Sequence, residues 1–73
     1  MNRPILQNQM RRLRFESNEM TQQELAERSG VSRQTIVAIE AAKYSPSLEL
    51  AFKIAAVLKR PLEEVFQYQN QKR

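Results

Sequence analysis

Apolar residues along the chain come in short bursts between polar breaks, and their spacing within each burst is helical. Leu6, Met10 and Leu13 stand at i, i+4 and i+7 and predict a first helix over about 6–16. Ser17, Asn18 and Glu19 interrupt it. Thr21 with Glu24 three residues on forms a capping box, in which the hydroxyl accepts from the Glu24 amide and the carboxylate reaches back to the Thr21 N–H. This starts a second helix that carries Leu25 and Ala26 inward and stops at Gly30. Ser32 caps a third, with Ile36 and Ile39 at i, i+3 facing the core. The break between them, Ser29-Gly30-Val31, has glycine at its centre, where a left-handed backbone carries no Cβ penalty. Residues 21–40 therefore match the tight turn of a helix-turn-helix.

Tyr44-Ser45-Pro46-Ser47 predicts a turn, because proline drives the preceding residue out of the helical region. Ser47 then caps a fourth helix on which Leu48, Ala51, Ile54, Ala55 and Leu58 make one apolar face. Pro61 suits the first position of a fifth helix, where its missing N–H costs nothing, and Glu63 and Glu64 complement the helix dipole. Leu62, Val65 and Phe66 cover the far end of the core. Beyond it, Phe66, Gln67, Tyr68 and Gln69 alternate apolar and polar, a strand-like period that puts Phe66 and Tyr68 on one side. The expected fold is all-α, five helices in one domain over 1–73 with polar tails at 1–5 and 67–73. The alternation at 66–69 allows a short C-terminal strand at a dimer interface.

Composition narrows what such a domain can do. A chain of 73 residues buries only about 60% of its unfolded surface, so pairing of two copies is an expected source of further burial. Cysteine and histidine are both absent, which removes disulfides, thiolate ligands and the commonest general base and metal ligand. With no glycine-rich phosphate loop and no room for a sizeable pocket, an enzyme is not expected, nor a metal, cofactor or small-molecule ligand. The net charge of +4 and a pI of about 10.0 favour a polyanion as partner. Apolar runs fall far short of the roughly 20 residues that span a bilayer, and the N-terminus lacks a signal-peptide core. A cytoplasmic, nucleoid-associated prokaryotic protein is expected, with no membrane partner.

The third helix carries the candidate chemistry. The N-terminal end of the second helix in such a pair enters the major groove, and here Ser32, Arg33, Gln34 and Thr35 supply it. Arginine reads guanine O6 and N7 bidentately, glutamine reads adenine N6 and N7, and a threonine methyl touches the thymine methyl. A solvated helical hairpin would carry the same four residues, but not the capping box, glycine turn and matched apolar positions around them.

TQQELAERSGVSRQTI followed by KYSPSLELAFKIA resembles the Cro/cI-type (Xre-like) helix-turn-helix family of prokaryotic regulators, over about Met10 to Phe66. The resemblance implies a five-helix, lambda-repressor-like domain that binds double-stranded DNA, usually as a homodimer on a palindrome. By the same resemblance Arg33, Gln34, Thr35, Val37 and Ala38 would face bases. Gln22 would hold a phosphate and brace Gln34, with Ser32, Lys43, Tyr44 and Ser45 also along the backbone. Arg14 and Glu40 resemble the family's internal ion pair. Two positions depart from the family pattern: Ala41-Ala42 stands where Asn-Gly or Lys-Gly is common, and Lys59 where glycine or asparagine is. Either these helices run on, or an alanine and a lysine take up the left-handed conformation.

Phe52, Phe66 and Tyr68 are the candidate dimer-interface residues, at an end of the molecule opposite the DNA face. The Arg11, Arg12, Arg14 cluster is either a second phosphate contact or a solvated helix face, and Lys72 and Arg73 read as a soluble tail. Repression is the expected mode of action, since so small a domain has little surface for recruiting polymerase. The competing reading is an antitoxin-type interaction module that masks a partner protein and autoregulates its operon. RNA is disfavoured, because no exposed aromatic interleaves the basic residues.

Overall fold

The computed structural model describes residues 4–70. In chain order the elements are β1 (Pro4–Asn8), α1 (Met10–Glu16), α2 (Gln22–Ser29), α3 (Arg33–Glu40), α4 (Leu48–Leu58), α5 (Leu62–Val65) and β2 (Phe66–Asn70). The core is one cluster drawn from every helix, with Met10, Leu13, Leu25, Ile36, Ile39, Ile54 and Val65 completely enclosed. The five expected helices are present, and the three side-chain caps form as read. Thr21 Oγ1 accepts from Glu24 N at 3.0 Å while Glu24 Oε1 accepts from Thr21 N at 2.8 Å. Ser32 Oγ accepts from Thr35 N, and Ser47 Oγ from Leu50 N.

The two ends of the chain differ from expectation. Residues 4–5 and 67–70, expected as polar tails, belong to antiparallel strands, with Leu6 opposite Tyr68 and Asn8 opposite Phe66. Leu6 therefore lies in β1 and not in the first helix, which starts only at Met10. The reason is local and tertiary together. Asn8 Oδ1 accepts from Met10 N at 3.1 Å, and Gln9 N donates to Val65 O at 2.9 Å, so the chain is tied to the end of α5 before α1 begins. Lys72 and Arg73 lie outside the described residues.

Two smaller corrections concern the C-terminal helices. Leu48 is 67% exposed and is not part of the inward face of α4. The face starts with the half-buried Leu50, from which Ala51, Ile54, Ala55 and Leu58 follow at helical spacing. Pro61 is the N-cap of α5, not its first residue, with an extended ψ of 153°.

Helix ends decide the question raised by Ala42 and Lys59: both helices stop, and both residues are left-handed. After α2, Gly30 has φ 76°, and Val31 N donates to Ala26 O. After α3, Ala42 has φ 61°, with Ala42 N on Ile39 O and Lys43 N on Ala38 O, both at 2.9 Å. After α4, Lys59 has φ 60°, with Lys59 N on Ala56 O and Arg60 N on Ala55 O. All three are Schellman endings, in which two orphan carbonyls of the last turn are satisfied. At Gly30 the conformation is free of steric cost, whereas a Cβ makes it unfavourable at the other two. Ala42→Gly and Lys59→Gly should each therefore stabilise the fold by about 1 kcal/mol. Urea unfolding gives the sign, and a destabilised Ala42→Gly protein would mean that α3 continues through that residue.

Candidate nucleic-acid interface

The α2–α3 unit is fixed from its far end. Glu40, the last residue of α3, takes Arg14 of α1 in a bidentate pair, Nε to Oε2 at 2.6 Å and Nη2 to Oε1 at 3.1 Å. Both side chains are largely buried, 15% and 10% exposed. Gln22 Nε2 adds a third donor from the first residue of α2, at 3.2 Å. Arg14 Nη1 also holds Met20 O at 2.9 Å, closing the loop that leads into α2. One residue earlier, Ile39 O accepts from Asn8 Nδ2 at 2.9 Å. Two helices and a strand thus grip the C-terminal end of α3, away from its Ser32-capped N-terminal end.

Along the outer face of α3, Arg33, Gln34 and Val37 are exposed and Ala38 is half-buried. Together with Ala41 and Lys43 these four line one shallow depression of about 300 Å³. It is floored by the short side chains of Ala38 and Ala41 and rimmed by two cations and an amide. Such a surface admits an apolar group between hydrogen-bond donors. Thr35 is half-buried, and its hydroxyl lies 3.0 Å from Ser32 Oγ, in hydrogen-bond contact at the cap.

The backbone candidates divide. Ser32, before α3, and Lys43, Tyr44 and Ser45, after it, are all exposed. Gln22 donates from its amide nitrogen to Glu40 Oε1 at 3.2 Å, and among the described residues no hydrogen bond joins it to Gln34. It lines a depression of about 440 Å³ with Arg14, Thr21, Gln23 and Arg33. Of the expected interface residues, Phe52 and Tyr68 are exposed. Phe66 is only 9% exposed and belongs to the core, so its side chain is not free for a partner.

Sequence reading missed two things here. Ala41, the C-cap of α3, lines the same depression as Arg33 and Gln34, and its small side chain gave no reason to single it out. Phe15 is 68% exposed between Arg11, Arg12 and Arg14, an aromatic among basic residues where none was expected. It lies off the stripe of Met10 and Leu13, and sequence reading gave it no role. Among the described residues no group of three acidic side chains gathers to hold a metal, and no helix is long and apolar enough to cross a membrane.

Residues 10–65 match the family model of the helix-turn-helix. The chain belongs to the Cro/cI-type, Xre-like helix-turn-helix family. It is similar to an uncharacterized HTH-type transcriptional regulator of Methanocaldococcus jannaschii, 55% identical over 51 residues covering 70% of this chain and 77% of that protein. A relative of the same description from Methanothermobacter thermautotrophicus is 58% identical over 48 residues, 64% of this chain and 70% of its own. The HTH-type transcriptional regulator YgzD of Bacillus subtilis is 48% identical over 46 residues, 63% of this chain and 70% of its own. Within this helix-turn-helix chain β1 and β2 lie outside the matched residues, whereas the whole Arg14–Glu40–Gln22 cluster lies inside them.

Since that cluster sets where α3 points, removing its acceptor should be costly. Glu40→Ala leaves a largely buried guanidinium unpaired and should destabilise the fold by about 3 kcal/mol. Gln22→Ala removes one hydrogen bond to a charged group and should cost about half as much. Urea titration measures both, and a Glu40→Ala protein of unchanged stability would show that core packing alone positions α3.

Proposed function

We propose that this chain is a sequence-specific double-stranded DNA-binding transcriptional regulator, a repressor that binds a palindromic operator as a homodimer. The observation that carries the reading is the depression lined by Arg33, Gln34, Val37, Ala38, Ala41 and Lys43 along the outer face of a helix clamped at its C-terminal end. In the major groove Arg33 pairs with guanine O6 and N7, and Gln34 with adenine N6 and N7. Val37, Ala38 and the Thr35 methyl group meet thymine methyls. Lys43, Tyr44, Ser45, Ser32 and Gln22 hold the flanking phosphates and fix register without reading sequence. The 1–73 chain acts as one DNA-binding domain, in the cytoplasm and on the nucleoid. No observation favours the partner-masking alternative.

Two copies are needed because the recognition helices must reach successive major grooves about 34 Å apart. Phe52 on α4 and Tyr68 on β2 are exposed apolar groups outside the α3 surface, which supports an interface there. Phe66 contributes from inside the core by holding β2 in place.

Selecting bound duplexes from random DNA tests the reading as a whole, and should yield a palindrome of two half-sites. On that duplex Arg33→Ala should lose about 1–3 kcal/mol and relax one guanine position per half-site. An equal loss on every sequence would make Arg33 a phosphate contact. For the dimer, sedimentation equilibrium should find the intact chain paired at micromolar concentration and Phe52→Glu shifted to monomer. The variant should lose operator affinity far more than nonspecific affinity. A monomeric intact chain would remove the dimer from the proposal.

A further inference from the structure

Four shallow depressions on the molecule share lining residues in series. The one along α3 and the one at the start of α2 have Arg33 in common. Arg14 and Thr21 carry the second into a third, about 300 Å³, which adds Arg11, Phe15, Glu19 and Met20. Arg11 and Phe15 then open onto a fourth of about 430 Å³ along α1. The DNA surface proposed above is therefore continuous with one face of α1, where the exposed side chains have no role yet.

Two features of that face point to the kind of partner it meets. Arg12 and Arg14 are held by Glu16 and Glu40, but Arg11 has no carboxylate within ion-pair distance among the described residues. One turn on, at i+4, stands Phe15, 68% exposed. Charge is the second feature. In the linings of the four depressions Arg14 and Glu40 neutralise each other and Arg12 is paired with Glu16. Among the described residues this leaves Arg11, Arg33 and Lys43 as unpaired cations against the one carboxylate of Glu19. A strip so biased suits a polyanion better than a protein surface. The backbone of a DNA strand offers phosphates alternating with apolar sugar faces, spaced about 3.4 Å along the axis per nucleotide. An arginine and a phenyl ring one helical turn apart, about 5–6 Å between β-carbons, are placed to meet one of each.

We propose that Arg11 and Phe15 extend the DNA contact onto flanking duplex, with Arg11 on a backbone phosphate and Phe15 packed on a neighbouring deoxyribose. This rests on the DNA-binding reading, and it adds affinity without sequence preference, because the backbone is the same at every base pair. Glu19, in the same depression as Arg11 and Phe15, is the one uncompensated carboxylate on the strip.

The test uses the intact chain and three variants, titrated over a salt series against the duplex recovered by selection and against random-sequence duplex. Arg11→Gln should weaken both duplexes alike, about fivefold, and reduce the slope of log K against log salt by about 2, one phosphate for each copy of the homodimer. Phe15→Ala should weaken both about threefold with the slope and the melting temperature unchanged, as its ring is exposed. Both losses should disappear on a duplex trimmed to the base pairs that α3 reads. If Arg33→Ala weakens the selected duplex while Arg11→Gln and Phe15→Ala match the parent at every salt concentration, the α1 contact is overturned and the α3 reading stands. A Phe15→Ala protein that becomes monomeric, with DNA affinity per dimer unchanged, would make the ring a protein contact and overturn it too. If the parent binds no duplex, both readings fall.

Discussion

The Glu40 carboxylate is the constraint on which the arrangement of this molecule turns. It stands at the end of α3 and accepts three hydrogen bonds, two from Arg14 on α1 and one from Gln22 on α2. A carboxylate so largely buried is costly unless its lone pairs are filled, so the three helices are held to the one mutual geometry that fills them. Apolar contacts alone are non-directional and would tolerate α3 rolling or sliding on α2. Fork-shaped guanidinium binding does not, because both nitrogens must meet both oxygens. The direction in which Arg33 and Gln34 project follows from a contact at the opposite end of their helix.

Short helices are the second condition. Each of α2, α3 and α4 ends in a left-handed residue, but only after α2 is that residue glycine. The Schellman bonds and the Pro46 turn hold Ala42 where it is. Steric strain at Ala42 and Lys59 is thus accepted to end each helix where the next must start. For a chain with so thin a core the strain is not trivial, since one or two kcal/mol is a large part of a small domain's stability. At the other end of the molecule, pairing of β1 with β2 seals the core beneath Phe66, and Asn8 links that sheet to the last carbonyls of α3. The half of the molecule expected to carry the dimer is in this way mechanically joined to the half expected to carry the DNA.

Much of this was legible in the residues alone, for a definite reason. Caps, helix periods and the glycine turn are made by residues three or four apart, so Thr21 with Glu24, Ser32 with Thr35, and Leu25, Ile36 and Ile39 identify their elements without reference to anything distant. The free polar end of α3 follows from the same local pattern. The resemblance to a known family supplied the Arg14–Glu40 pair, which no local pattern reveals. Partners at long sequence separation were not legible. β1 is a strand because β2, some sixty residues away, offers it hydrogen bonds, and Leu6, Met10 and Leu13 fit a helix as well until that pairing is known. Whether Phe15 and Leu48 are covered or exposed, and whether Phe66 serves the core or a partner, depends on how the helices are rotated against one another. The sequence by itself determined where α2, α3 and α4 begin, which faces of α2 and α3 are apolar and which end of α3 is polar, since short-range spacing encodes all three. Only the tertiary structure decided which aromatic rings stay in water and that Pro4–Asn8 pairs with Phe66–Asn70, because those depend on contacts between segments that the sequence holds far apart.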